Sequence, residues 1–183
     1  MGGNLRTKLF VRHGDEEQAI AFYTSALNAL LIERHEMSDG TLVGATLEIE
    51  GARFAIAGAN PKRDNEAALG GPRSPQAMGT TSVLLDLDIA DVDALMARTV
   101  AAGALLRNVP ETLADGTRVA AIIDPFGHIW AVSSSPGRAA ELAAQPPRGE
   151  ARRSAWWLSR AGPRAASLSG ACGAARRQLR RSR

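Results

Sequence analysis

Residues 39–58 (DGTLVGATLEIEGARFAIAG) and residues 115–134 (DGTRVAAIIDPFGHIWAVSS) carry one pattern twice, 76 positions apart. The register extends outward without a gap. Gly51 falls on Gly127, Phe54 on Trp130, Ile56 on Val132, Asp15 on Asp91 and Leu9 on Leu85. A repeat of this length means that the chain folds as two copies of one unit.

Working out from the repeat, each copy opens with alternating apolar residues, Leu9 and Val11 in the first and Leu85, Leu87 and Ile89 in the second, the period of a half-buried strand. A helical stripe follows, Ala19, Ile20, Tyr23 and Leu27 against Leu95, Met96 and Val100. Asp15 and Asp91 stand where a side chain caps a first turn, and Gly103 where a left-handed residue closes a helix. Three short strands come next in each copy, near 30–37, 43–50 and 53–57, then 105–112, 117–124 and 129–134, with turns at SDG and ADG. The order is βαβββ, twice.

One helix covers one face of four strands, so each unit needs a partner for the other face. The expected fold is therefore α+β: two βαβββ modules forming a curved mixed sheet whose uncovered concave face is a cavity. The domain spans 5–135, with modules 5–59 and 80–135 and a Gly-, Pro- and charge-rich linker, 60–79, over the surface.

If Leu9, Val11, Leu85 and Leu87 pack on the helices, then Lys8, Phe10, Arg12, Leu84, Asp86 and Asp88 face the cavity. Arg53, Ile129 and Ser133 complete its wall. This mixture suits a small polar organic molecule with an apolar body and a charged handle. Arg12 and Asp88 are equivalent in the repeat, so an ion pair across the pseudo-twofold axis competes with a ligand for them. Lys8 or Asp86 is a candidate proton shuttle. Trp130 points the other way, into the core. Glu48 and Asp124 match by repeat and precede turns, where acids serve the backbone. His13, His35 and His128 fall at non-equivalent places with no metal-ligand spacing, and read as edge and turn histidines. No phosphate-binding glycine loop or catalytic triad pattern is present.

The paired modules, QAIAFYTSALNA after the first strand, ADVDALMARTVAAGA after the fifth, and DPFGHIW before the last together resemble the vicinal oxygen chelate superfamily of glyoxalases, extradiol dioxygenases and bleomycin- or fosfomycin-resistance proteins. The arrangement PQAMGTTSVLLDLDIADVDAL…DPFGHIW is most similar to the PhnB-like branch. The resemblance implies fold more specifically than activity. Metal-dependent members place His, Gln or Glu ligands on the first, fourth, fifth and eighth strands. Carried across, those places fall on Lys8, Ala55, Leu84 and Ala131, none a ligand at neutral pH. The expected function is thus binding of a small organic ligand without metal or cofactor. The alternatives are a metalloenzyme of the lyase, isomerase or dioxygenase kind with atypical ligands, and a nucleic-acid-associated protein. The resemblance also implies a homodimer.

Charge divides the chain of 183 residues. Residues 1–135 carry 11 Lys and Arg against 17 Asp and Glu, a net −6, whereas 136–183 carry 11 Arg against 2 Glu, a net +9. The 136–183 stretch, rich in Arg, Ala, Gly, Pro and Ser, is expected to be disordered in isolation. Its arginines and the Trp156–Trp157 pair offer contact with nucleic acid or an anionic membrane as subordinate readings. The one cysteine, Cys172, excludes an intramolecular disulfide. With no apolar signal-peptide core near the N-terminus, the expected location is cytoplasmic.

Overall fold

The computed structural model describes residues 5–62, 68, 70–137 and 140. In the first module, strand β1 (Thr7–Val11) leads into helix α1 (Glu16–Ala26) and strands β2 (Leu30–Glu36), β3 (Leu42–Ile49) and β4 (Ala52–Gly58). A short helix, α2 (Pro75–Met78), precedes the second module: β5 (Leu84–Asp88), α3 (Val92–Ala101), β6 (Leu105–Thr112), β7 (Arg118–Ile123) and β8 (Ile129–Ser134). Two four-stranded mixed sheets result, ordered β1-β4-β3-β2 and β5-β8-β7-β6. In each, the first strand runs parallel to the last, and the other ladders are antiparallel. The expected α+β fold of two βαβββ modules is the observed one. Of the basic 136–183 stretch, expected to be disordered, all but residues 136, 137 and 140 lie outside the described residues.

The helices end as local chemistry dictates. Asp91 accepts a hydrogen bond from the Ala94 amide at 2.9 Å, the expected cap. Gly103, at φ +98°, lets the amides of Gly103 and Ala104 reach back to the carbonyls of Val100 and Thr99, each at 3.0 Å. Asp15 departs from expectation: its side chain caps nothing. The buried Glu16 acts here instead, its Oε2 accepting from the Gly14 amide at 2.7 Å. The linker also departs. Ser74 is fully buried and caps α2 through the Ala77 amide, Pro75 is buried, and Gln76 Nε2 donates to the Pro125 carbonyl at 2.6 Å. The linker is thereby stitched to the turn before β8 rather than lying wholly on the surface.

The core lies where both sheets meet α1 and α3. Leu9 and Val11, Ile20 and Tyr23, Leu47, Phe54 and Ile56 meet Leu87, Val92, Leu95, Ile122, Trp130 and Val132. At its centre Phe22, Tyr23, Phe54, Phe126 and Trp130 form a chain of ring pairs with centroids 5.5–6.1 Å apart, separations at which edge and tilted contacts are favourable.

The modules are not exact copies. Leu47 pairs with Phe54 across β3 and β4, both in the core, and the corresponding core pair across β7 and β8 is Ile122 with Trp130. The repeat would place Ile123, not Ile122, on Leu47. A one-residue slip turns every side chain of a strand to the opposite face, so β7 presents Ala120 and Ile122 to the core where unaltered repetition would present Ala121 and Ile123. The longer turn at 124–128 absorbs the extra residue, and Asp124 thereby arrives at the buried position occupied by Ile49 in the first module.

Candidate functional site

The slip explains Asp124. It is 3% exposed, and four donors converge on its two oxygens. The amides of Phe126 and His128 each donate to Oδ1 at 2.9 Å, while Tyr23 Oη and Trp130 Nε1 donate to Oδ2 at 2.7 and 3.0 Å. The backbone service expected of a turn acid is present. The two aromatic donors, one from each module, were not legible. Burial and the negative charge of Asp124 push the Tyr23 hydroxyl well above its ordinary range, so it remains a donor. This cluster is closed off and satisfied, and its work is to join the modules.

The joint also places His128. Its Nε2 lies 3.2 Å from the Phe10 carbonyl, an atom that can only accept, so Nε2 carries the proton. Burial holds the imidazole below its usual pKa, with the Asp124 charge and the Phe10 carbonyl opposing. His13, by contrast, is exposed beside Glu16 at 3.6 Å, and His35 shares a hydrogen bond with Thr46 Oγ1 at 2.9 Å. Turn and edge placement holds for all three histidines, and the burial of His128 is new.

Where the turn before β8 crosses β1, a cavity of about 680 Å³ opens. Lys8 and Phe10 form its β1 wall, His128 one end, and 70–73, Pro75 and Met78 of the linker with 80–83 the remainder. A second cleft of about 300 Å³ occupies the pseudo-equivalent crossing, between β5 and the β3–β4 turn. Thr7, Glu50, Arg53, Asp86 and Asp88 line it, with Phe54 and Trp130 behind. The nine candidate residues do not share one cavity: five are divided between these two clefts, and Arg12, Leu84, Ile129 and Ser133 line neither. Lys8 and Phe10 line the first cleft, and Arg53, Asp86 and Asp88 the second. Leu84 and Ile129 are register partners on β5 and β8, as are Asp88 and Ser133.

Two pairings decide how these charges are used. Asp88 accepts a hydrogen bond from Ser133 Oγ, and Arg12 forms no ion pair with Asp88. The proposed stitch between halves is thus replaced by a bond within one sheet, because register places Ser133 directly beside Asp88. Arg53 pairs with Glu48 across β3 and β4 at 3.0 Å.

The positions carried over from metal-dependent proteins are Lys8 opposite Ala55 on β1 and β4, with Leu84 on β5 and Ala131 on β8 opposite Asp86. Their side chains supply an ammonium and hydrocarbon. Among the described residues no group of three or more His, Cys, Asp or Glu side chains converges. This donor set does not fit a divalent ion, which needs several oxygen, nitrogen or thiolate ligands at about 2.0–2.6 Å. Among the described residues no helix is long and apolar enough to cross a membrane.

Comparison with known proteins agrees with this architecture. The chain is 33% identical over 120 residues to an uncharacterised protein of Mycobacterium bovis, spanning 64% of this chain and 75% of that one. An uncharacterised protein of Mycobacterium tuberculosis is equally identical, with 67% of its length covered. Among solved structures, a protein of unknown function from Agrobacterium tumefaciens superposes with a TM-score of 0.53 at 27% identity, covering 74% of this chain and 96% of that one. A PhnB protein from Bacillus cereus superposes at 0.50 with 15% identity, covering 73% and 100%, a likeness of fold alone. The family model for the Glyoxalase/Bleomycin resistance protein/Dioxygenase superfamily matches residues 7–132, and the chain belongs to that family.

Proposed function

We propose that this protein binds a small organic molecule in the cleft between β1 and the 70–83 segment, and does so without a metal ion. The cavity of about 680 Å³ carries the reading, since pockets for small ligands span roughly 300–1,000 Å³ and combine an apolar lining with a few placed polar groups. Phe10, Met78 and Val83 supply the apolar lining, while Lys8, His128 and the hydroxyls near 80–82 supply the polar groups. The donor-poor positions 8, 55, 84 and 131 support recognition without Lewis-acid chemistry.

The test is a thermal-shift survey of metabolites and antibiotics on the full chain, with and without a chelator. A ligand at one hundred times its Kd stabilises the folded state by about 2.7 kcal/mol, and the shift should survive chelation and fall with Phe10→Ala. Stoichiometric zinc, nickel, manganese or iron in the purified protein, with binding abolished by chelator, would overturn the reading in favour of the metalloenzyme alternative.

A homodimer is part of the same proposal. The edge strands β2 and β6 expose Leu30, Leu31 and Ile32, and Leu105, Leu106 and Val109. Apolar residues concentrated on unpaired edges favour association with another surface. Sedimentation equilibrium giving only monomer at micromolar concentration would oppose it.

A further inference from the structure

We propose that the ligand of the β1 cleft is an anion, a carboxylate or phosphate on an apolar body, with its charged end held by Lys8. This deepens the binding reading above and rests on it.

The argument is the sign of the lining. Among the described residues that form the cleft, Lys8 and Arg73 are cationic and none is a carboxylate. Lys8 is exposed and forms no ion pair among the described residues. Thr80 and Ser82 also line the cleft, and their hydroxyls make no hydrogen bond among the described residues, leaving them to meet a ligand's oxygens. Phe10, Met78 and Val83 form the apolar part. An ammonium group beside available hydroxyls is a site for charge-assisted hydrogen bonds to an oxyanion.

The second cleft provides an internal contrast. The same strand-against-turn geometry carries Glu50, Asp86 and Asp88 there, and its arginine, Arg53, is held by Glu48 at 3.0 Å. Lys8 and Phe10 are replaced in the repeat by Leu84 and Asp86. Two clefts at pseudo-equivalent crossings therefore differ in sign, and an anion is favoured in one and repelled by the other.

The experiment uses benzoate, benzamide and benzylamine, one ring with an anionic, a neutral and a cationic end, titrated into the ¹⁵N-labelled full chain. Site-resolved amide shifts separate the cleft from the arginine-rich 136–183 stretch. Benzoate should saturate shifts at Lys8 and at 81–83 with at least about tenfold preference over benzylamine, leaving Asp86 and Asp88 unmoved. Lys8→Gln should remove about tenfold of benzoate affinity without changing that of benzamide, and Lys8→Arg should restore most of it. Preference for benzylamine, or benzoate binding indifferent to Lys8→Gln, overturns the anion assignment while the cleft stands as a ligand site. If none of the three moves the amides of the cleft, the binding reading itself fails.

Discussion

Replacing Asp124 with asparagine exchanges one carboxylate oxygen for an amide nitrogen at the joint between the modules. Asparagine's oxygen can still accept from the amides of Phe126 and His128, each 2.9 Å from Oδ1. Its NH2 group then faces Tyr23 Oη and Trp130 Nε1, which lie 2.7 and 3.0 Å from Oδ2. The tyrosine hydroxyl can rotate to accept, but an indole N–H can only donate. One buried donor is left without a partner, at about 1–3 kcal/mol, and the hydrogen bond from Tyr23 is weakened besides. Asp124→Asn should therefore cost about 3 kcal/mol. Tyr23→Phe removes one donor and leaves Oδ2 bonded to Trp130, costing about 1 kcal/mol. Asp124→Ala strands all four donors, at about 5 kcal/mol or more. Urea unfolding followed by far-UV circular dichroism measures the series without interference from Trp156 and Trp157. Were Asp124→Asn to fall within about 0.5 kcal/mol of the parent, or to cost no more than Tyr23→Phe, the four-donor account would be refuted.

Two further perturbations test other parts of the fold. Burial holds His128 below its ordinary pKa of 6.5, so between the folded and unfolded values the unfolded chain binds more protons. Stability is then fully present above about pH 6.5 and is lost as pH falls through the folded value; His128→Gln, which can keep a donor to the Phe10 carbonyl, should flatten this dependence in denaturant melts between pH 7 and 5, and an unchanged slope would contradict it. At Gly44 a Cβ would overlap the Ile56 carbonyl oxygen and approach Ala57 Cα at 3.2 Å, both backbone atoms of the adjoining strand; Gly44→Ala should cost about 3 kcal/mol, whereas Gly40→Ala, with open space around it but φ +83°, should cost about 1 kcal/mol in the same assay.

Much of the fold was legible because periodicity is local. Alternation along β1 and β5 placed Leu9, Val11 and Leu87 in the core and left Lys8, Phe10, Asp86 and Asp88 outward, as found. Phe54 and Trp130, matched by repeat, face one another with centroids 6.0 Å apart. The Arg12–Asp88 pair failed because equivalence in a repeat says nothing about distance, whereas register seats Ser133 next to Asp88. The buried part of the linker was hidden because Gly, Pro and charge describe a turn-rich segment without saying whether it packs. Ser74 and Pro75 do so through α2.

The chain's own pattern determined that there would be two βαβββ units and which faces their first strands would bury. Both depend on residue type and on periods of two or nearly four, which the sequence displays directly. Only the tertiary structure decided that β7 slips by one residue, carrying Asp124 into the core beneath Tyr23 and Trp130, and that five of the nine candidate residues divide between two clefts while Arg12, Leu84, Ile129 and Ser133 line neither. The slip resides in how one turn closes, and the clefts in which strand of one module crosses which turn of the other. Both are matters of packing between segments remote in sequence, to which local pattern is blind.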